Sequence, residues 1–265
     1  MHRGFNLTLE NVDGLSGWVH KFQQAGQSLF NIHRNRVIVG LENYTNKNGV
    51  IDGSQLQGDW FPEIKADVFI SHSHSDTDTA LALAGWLSEE FKLSAFVDSA
   101  VWGYGDDLLR QVDNKYCYDQ DRYVYSYEKR NKTTAHIHSL LNTALTKMID
   151  RAECLVFLNT QNSVSDDESA ISTTRSAWLF SELTIAETIR TRPTGRAERA
   201  SADQNFSAGL EEGLQIRYLI DPQLSMLARL DSEGLRDWAR LRGNRPHTHA
   251  LDLLYNLIPE RRAKP

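Results

Sequence analysis

The hydrophobic positions of this chain change period several times, and each change marks an element. Val68, Phe69 and Ile70 run without a polar break, the pattern of a strand buried on both faces of a parallel sheet. The run stops at Ser71. His72, Ser73, His74, Ser75 and Asp76 then supply small polar groups, with Ser75 or Asp76 placed to cap a helix. Beyond the cap Ala80, Leu83, Ala84, Leu87 and Phe91 recur at helical spacing and give one apolar face to lie on a sheet. Residues 94–98 read as a second strand and close a βαβ unit. Farther on, Leu140, Leu141, Ala144, Leu145, Met148 and Ile149 share a helical face, residues 153–158 form a third buried strand, 176–190 a helix and 216–220 a fourth strand.

The segments around these elements are less regular. Residues 1–65 read as an N-terminal extension, an accessory or packing part, in which Leu15, Trp18, Val19, Phe22, Leu29 and Phe30 fit an amphipathic helix. Residues 37–39 fit either a helix or a strand, 46–58 read as an Asn- and Gly-rich loop, and Trp60 and Phe61 anchor the chain to the domain that follows. Residues 98–107 read as a loop in which Trp102 and Tyr104 alternate with Gly103 and Gly105, the setting in which an exposed aromatic meets a ligand or a partner. The tyrosines at 116, 118, 123, 125 and 127 crowd an insertion over 114–135, and the alternation of the last three predicts a hairpin. Residues 191–213 have few apolar groups and read as an exposed linker. The tail, 221–265, shows two helical stretches, 224–241 and 250–258, with no fifth strand between them.

Strand, helix, strand, helix, strand, helix, strand predicts an α/β fold with a doubly wound parallel sheet over residues 66–220, completed by the helical tail. Ligands of such sheets bind outside the carboxyl ends of the strands, so residues 72–75, 98–106, 159 onward and the start of the 176–190 helix should face one crevice. No GxGxxG follows the first strand and no P-loop lysine is present, which argues against a hydride-transferring Rossmann enzyme and a P-loop NTPase.

Composition narrows the partners. A net charge of −6 offers no domain-wide basic excess for a nucleic-acid backbone. No apolar stretch has the length of a membrane span, no signal-peptide core is evident, and two isolated cysteines fit a reducing, cytoplasmic setting. Three His-x-His pairs, at 72/74, 136/138 and 247/249, lack cysteines or carboxylates close in sequence to complete a tetrahedral site, so no metal is expected.

The sharpest chemical signal is in the helix over 176–190. At about 100° per residue Trp178, Ile189, Glu182, Ala186, Leu179 and Leu183 fall on one arc, which sets Glu182 inside the apolar stripe. A carboxyl buried there carries a raised pKa, a common arrangement at catalytic positions; a small rotation of the helix would instead put it at the stripe's solvent edge.

Asp67-Val68-Phe69-Ile70-Ser71-His72 with an acidic helix start, Phe96-Val97-Asp98 before a glycine-containing loop, Leu155-Val156-Phe157-Leu158, and Trp178-x-x-x-Glu182 together resemble, in this order, the TIR (Toll/interleukin-1 receptor) domain in its bacterial form. The resemblance implies a flavodoxin-like sheet and an enzyme that cleaves or cyclises NAD, with NAD as substrate and no other cofactor. It implies Glu182 as the catalytic residue, Trp178 as its companion, and Ser71, His72, Ser73, Phe96, Asp98 and Trp102 around the substrate. It also implies a homo-oligomer formed through the loop 99–106. This chain departs from some relatives in carrying His72 and His74 where they have arginines after the first strand. The expected role is that of the TIR enzymes of Thoeris-type antiphage systems, which make a messenger sensed by a separate effector protein. Two other functions stay open, a scaffold acting by homotypic association and a nucleoside deoxyribosyltransferase-like enzyme. Whether ADP-ribose is hydrolysed, cyclised or conjugated is not written in the sequence.

Overall fold

The computed structural model describes residues 1–9, 15–34, 41–45, 51–61, 63–166, 171–189 and 217–259, with the side chains of 100–104 among those outside this set. In chain order the main elements are β1 (Arg3–Thr8), α1 (Leu15–Arg34), α2 (Gly53–Trp60), β2 (Val68–Ser71), α3 (Thr77–Phe91), β3 (Ala95–Val97) and α4 (Ser99–Tyr116). A hairpin, β4 (Tyr118–Asp119) and β5 (Val124–Tyr125), leads into α5 (Tyr127–Arg151) and β6 (Cys154–Asn159). Then come β7 (Ser165–Asp166), β8 (Ser172–Thr174), α6 (Ala177–Thr188), β9 (Tyr218–Leu219), α7 (Asp221–Met226), β10 (Ala228–Asp231), α8 (Ser232–Asn244) and α9 (Ala250–Leu257).

Five strands form one parallel sheet in the order β10-β1-β6-β2-β3. Alternation along the strands divides the core into two layers. Phe5, Leu7, Val68, Ile70, Val97, Val156 and Leu158 face α1, α3, α8 and α9, whereas Phe69, Phe96, Leu155 and Phe157 face α2, α4, α5 and α6. The chain is thus an α/β protein with helices on both faces of its central sheet. Among the described residues no helix is long and apolar enough to cross a membrane.

Several expectations are corrected. Residues 3–8 are not part of an appended arm: β1 is a central strand, paired along its length with β6 and over four residues with β10. Its pattern is hard to read because Gly4 and Asn6 separate the buried Phe5 and Leu7. The strand expected over 216–220 is not in the central sheet; Tyr218–Leu219 pairs with β8 in a small antiparallel sheet of β7, β8 and β9, with Leu219 half exposed. The fifth place goes to β10, inside the stretch read as one helix; Asp231 ends that strand and its side chain accepts from Gly234 N, starting α8. The loop expected over 46–58 contains α2, begun where Asp52 Oδ1 accepts from Ser54 N and Gln55 N and held by buried Leu56 and Trp60. Residues 99–106, expected as a loop, are the first turns of α4, while the side chains of Trp102 and Tyr104 lie outside the described residues. The insertion shrinks to a short hairpin, since α4 continues to Tyr116 and α5 begins at Tyr127. The readings of 37–39 and 191–213 fall outside the described residues.

Helix α1 covers α3 at backbone contact. A Cβ at Gly26 would lie 1.9 Å from Leu81 O, and one at Gly85 would lie 2.2 Å from Phe22 O. Having no side chains, Gly26 and Gly85 let the two helices pack more closely than larger residues allow. Over the same layer Phe91 stacks on Trp238 at 3.9 Å, and Trp238 Nε1 donates to Ala250 O at 2.8 Å, which fixes α8 and α9.

Because backbone atoms cannot give way as a side-chain tip can, Gly26→Ala and Gly85→Ala should each destabilise the fold by about 3 kcal/mol. Gly17→Ala, at an exposed position of α1 with open space around it, should stabilise by about 0.5–1 kcal/mol. Urea unfolding of the three variants checks both signs.

Candidate active site

The carboxyl ends of β2 and β6 are where the chain leaves the sheet in opposite directions. After β2 it crosses by α3 to β3, whereas after β6 it crosses the other face by α6 toward β10. This divergence opens the crevice in which ligands of parallel sheets are held. The two departing loops are tied together: the Asp76 carboxylate accepts from Thr160 Oγ1 at 2.6 Å and from Asn162 Nδ2 at 2.7 Å. Ser163 Oγ donates to Leu158 O at 2.8 Å and accepts from Thr160 N at 2.8 Å, which sets the turn after β6. Asp76 stands at the cap position of α3, yet its side chain makes no cap bond and serves the neighbouring loop instead.

Glu182 enters this crevice from α6. Ser176 begins the helix, its Oγ accepting from Leu179 N, and Leu179, Leu183 and Ala186 bury the face that carries Glu182 inward. Glu182 has no exposed surface, so the apolar stripe, not its solvent edge, is the position the fold selects. Ser71 Oγ, at the last position of β2, donates to Glu182 Oε2 at 2.5 Å. Asp98, directly after β3, is buried and near enough for its charge to act on the same carboxyl. His72 is also buried, with Nδ1 2.5 Å from Asp98 Oδ1.

These contacts set the charges. Burial pushes the Glu182 carboxyl well above its ordinary range, and the nearby Asp98 carboxylate raises it further, outweighing the Ser71 hydroxyl that favours the anion. For His72, burial alone lowers the pKa, but the charge and hydrogen bond of Asp98, a bond to the Ile70 backbone and the more distant Asp76 carry it above its ordinary value.

Of the residues expected around a substrate, Ser71, His72 and Asp98 therefore converge on Glu182. The others are dispersed. Ser73 precedes a short 3₁₀ turn, His74–Asp76, as a partly exposed residue. Phe96 is core, its ring 5.4 Å from that of Phe69. Trp178 is half-buried and meets His138 of α5 edge-on at 5.4 Å, where burial holds the His138 imidazole below its usual pKa. Trp102 belongs to α4, its side chain outside the described residues. Sequence reasoning missed Asp76, Thr160 and Asn162 as a loop tie, because an acid before an apolar helix reads as a cap. At the opposite end of the sheet His249 comes together with Glu153 and Asp252, ligand atoms within 4.8 Å of one another, a grouping of distant residues that the His-x-His spacing does not foreshadow.

A carboxyl that keeps its proton to higher pH in the folded state than in the unfolded one contributes stability that is complete at acid pH and is lost as pH rises. Glu182→Gln keeps the shape and removes that titration. The melting temperature of the variant relative to the natural chain should therefore rise between about pH 5 and about pH 8. Thermal melts across that range measure it, and a constant difference would mean that Glu182 ionises normally.

No protein-family model, curated protein or solved structure matches this chain, so the case for its chemistry rests on these residues and their geometry.

Proposed function

We propose that the chain is a TIR-type, flavodoxin-like domain that cleaves NAD between ribose and nicotinamide. The observation that carries this reading is a fully buried glutamate on α6, hydrogen-bonded to the last residue of β2 at the crevice where β2 and β6 diverge. The spacing Trp178-x-x-x-Glu182 and the order of the strand motifs support the family; the parallel sheet with helices on both faces is compatible with it.

The proposed chemistry follows from the bond that breaks. As nicotinamide leaves, positive charge develops on the ribose in an oxocarbenium-like state, and a carboxylate beside it lowers the barrier. Nicotinamide departs as a neutral ring, so no acid is needed to protonate it. Glu182 in its ionised form supplies the stabilising charge and accepts hydrogen bonds from the ribose hydroxyls. Ser71 holds one oxygen of that carboxyl and so fixes its orientation. Because Glu182 has no exposed surface, substrate reaches it only when the carboxyl ends of the sheet open locally. The acceptor of the ADP-ribosyl group decides whether the product is free, cyclic or conjugated. A nucleotide messenger of antiphage defence, read by a separate effector, is the role that fits the resemblance.

Incubation of the purified protein with NAD, followed by mass spectrometry, should show nicotinamide release. Glu182→Gln should lower the rate on the order of 10²-fold or more while the protein remains folded. Ser71→Ala, which removes one hydrogen bond to a charged group, should lower it about 10-fold. Retained turnover in Glu182→Gln would sink the assignment.

A further inference from the structure

The amino end of the sheet, opposite Glu182, gathers side chains of a different kind. Glu153 stands just before β6, His249 at the cap position of α9 and Asp252 in its first turn, and one ligand atom from each lies within 4.8 Å of the other two. The main chain holds all three in place. Glu153 O accepts from His2 N at 2.7 Å and from Arg3 N at 3.2 Å, which ties its position to the start of β1. The first turn of α9 is fixed by the bond from Trp238 Nε1 to Ala250 O and by the buried Leu251, Leu253 and Leu254. The His249 side chain makes no cap bond to the helix it precedes. It lines a cleft of about 420 Å³ that opens to solvent. Other charged groups of that cleft are engaged: Asp67 accepts from Ser94 N and Oγ, Lys92 donates to Glu89 O, and Arg242 donates to Pro246 O and Thr248 O.

One imidazole and two carboxylates are the donors of a borderline divalent ion of the zinc class; magnesium and calcium take oxygen donors, and copper(I) takes sulfur. Zinc bonds such atoms at about 2.0–2.2 Å, which sets tetrahedral ligand atoms roughly 3.4 Å apart. None of the three side chains is buried, so movements of about 1 Å close the group around an ion. A doubly charged cation also offsets the two carboxylates, whose repulsion otherwise opposes their approach. The N-terminus of α9 contributes only about half a positive charge, which those two negative charges outweigh. We propose that Glu153, His249 and Asp252 bind a zinc-class divalent ion at the amino end of the sheet, with water from the cleft in the fourth position. The ion clips α9 to the start of β6, joining parts of the chain that are distant in sequence. Nothing in this inference uses Glu182 or the NAD-cleaving reading.

Calorimetric titration of the untagged full chain, first stripped with a chelator, should show one zinc ion bound per chain, and zinc should raise the melting temperature. Cobalt(II) in its place should give the intense visible absorption of a four-coordinate site, which surface ions surrounded by water lack. Glu153→Gln, His249→Asn and Asp252→Asn should each weaken zinc binding by about 10-fold or more. His247→Asn, which alters the same cleft outside the cluster, should leave it unchanged. Circular dichroism checks that the variants fold; His249 is exposed, so its variant decides the matter alone if the other two do not. Absence of binding, several weakly held ions per chain, a six-coordinate cobalt spectrum, or equal affinity in the natural chain and His249→Asn would overturn the inference. Nicotinamide release enters none of these measurements, so this inference and the proposed function can fail separately.

Discussion

A carboxyl group with no exposed surface is the constraint that orders this structure. Glu182 is tolerable there only because Ser71 donates to it, Asp98 shares its surroundings and His72 balances Asp98. Those three residues are the first to follow or end β2 and β3, so the register of both strands must be fixed before the glutamate can be satisfied. A slip of one residue in β2 would turn Ser71 away from α6 and leave a buried acid with an unmet hydrogen bond. The proposed chemistry and the fold thus depend on the same few atoms.

The sheet is held in that register from both sides. On one face α3 lies beneath α1 at backbone contact, through Gly26 and Gly85, and the Phe91–Trp238 stack closes α8 and α9 over it. On the other face α5 and α6 pack on Phe69, Leu155 and Phe157, with Ser181 bonded to Asn142 across the two helices. The hairpin between α4 and α5 is pinned by Asp113, which accepts from Arg130 Nε at 2.8 Å and Thr133 Oγ1 at 2.6 Å, and by Tyr125, which donates to Asn114. Its outer tyrosines, Tyr123 and Tyr127, remain exposed.

The proposed function asks Glu182 to do two things that conflict. It must be neutral to stay buried at low cost in the free protein, and it must be charged to stabilise an oxocarbenium-like state. In that reading the local opening that admits substrate also ends the burial that disfavours the anion, so entry and ionisation go together. Asp76 has a different part: with Thr160 and Asn162 it joins the loops after β2 and β6 and so shapes the crevice those residues border.

The sequence by itself determined the elements whose signal is local. Val68–Ser71, Ala95–Val97 and Cys154–Asn159 are apolar runs between polar turns, and the stripe on α6 put Glu182 among Leu179, Leu183 and Ala186. The convergence of the strand ends followed from parallel topology, so Ser71, His72 and Asp98 were legible as neighbours of that glutamate. Only the tertiary structure decided what depends on distant pairing. It gave β1 its place beside β6 and β10 its place beside β1, because strands of four to six residues interrupted by Gly4, Asn6 and Arg229 become recognisable only when their partners supply the missing hydrogen bonds. It made a helix of residues 99–106, sent Phe96 into the core, and set Trp178 on His138, since the side on which an aromatic ring is buried is decided by whichever neighbour covers it. It also converted Asp76 from a helix cap into a tie between loops, because Thr160 and Asn162 arrive beside it only when β6 pairs with β2.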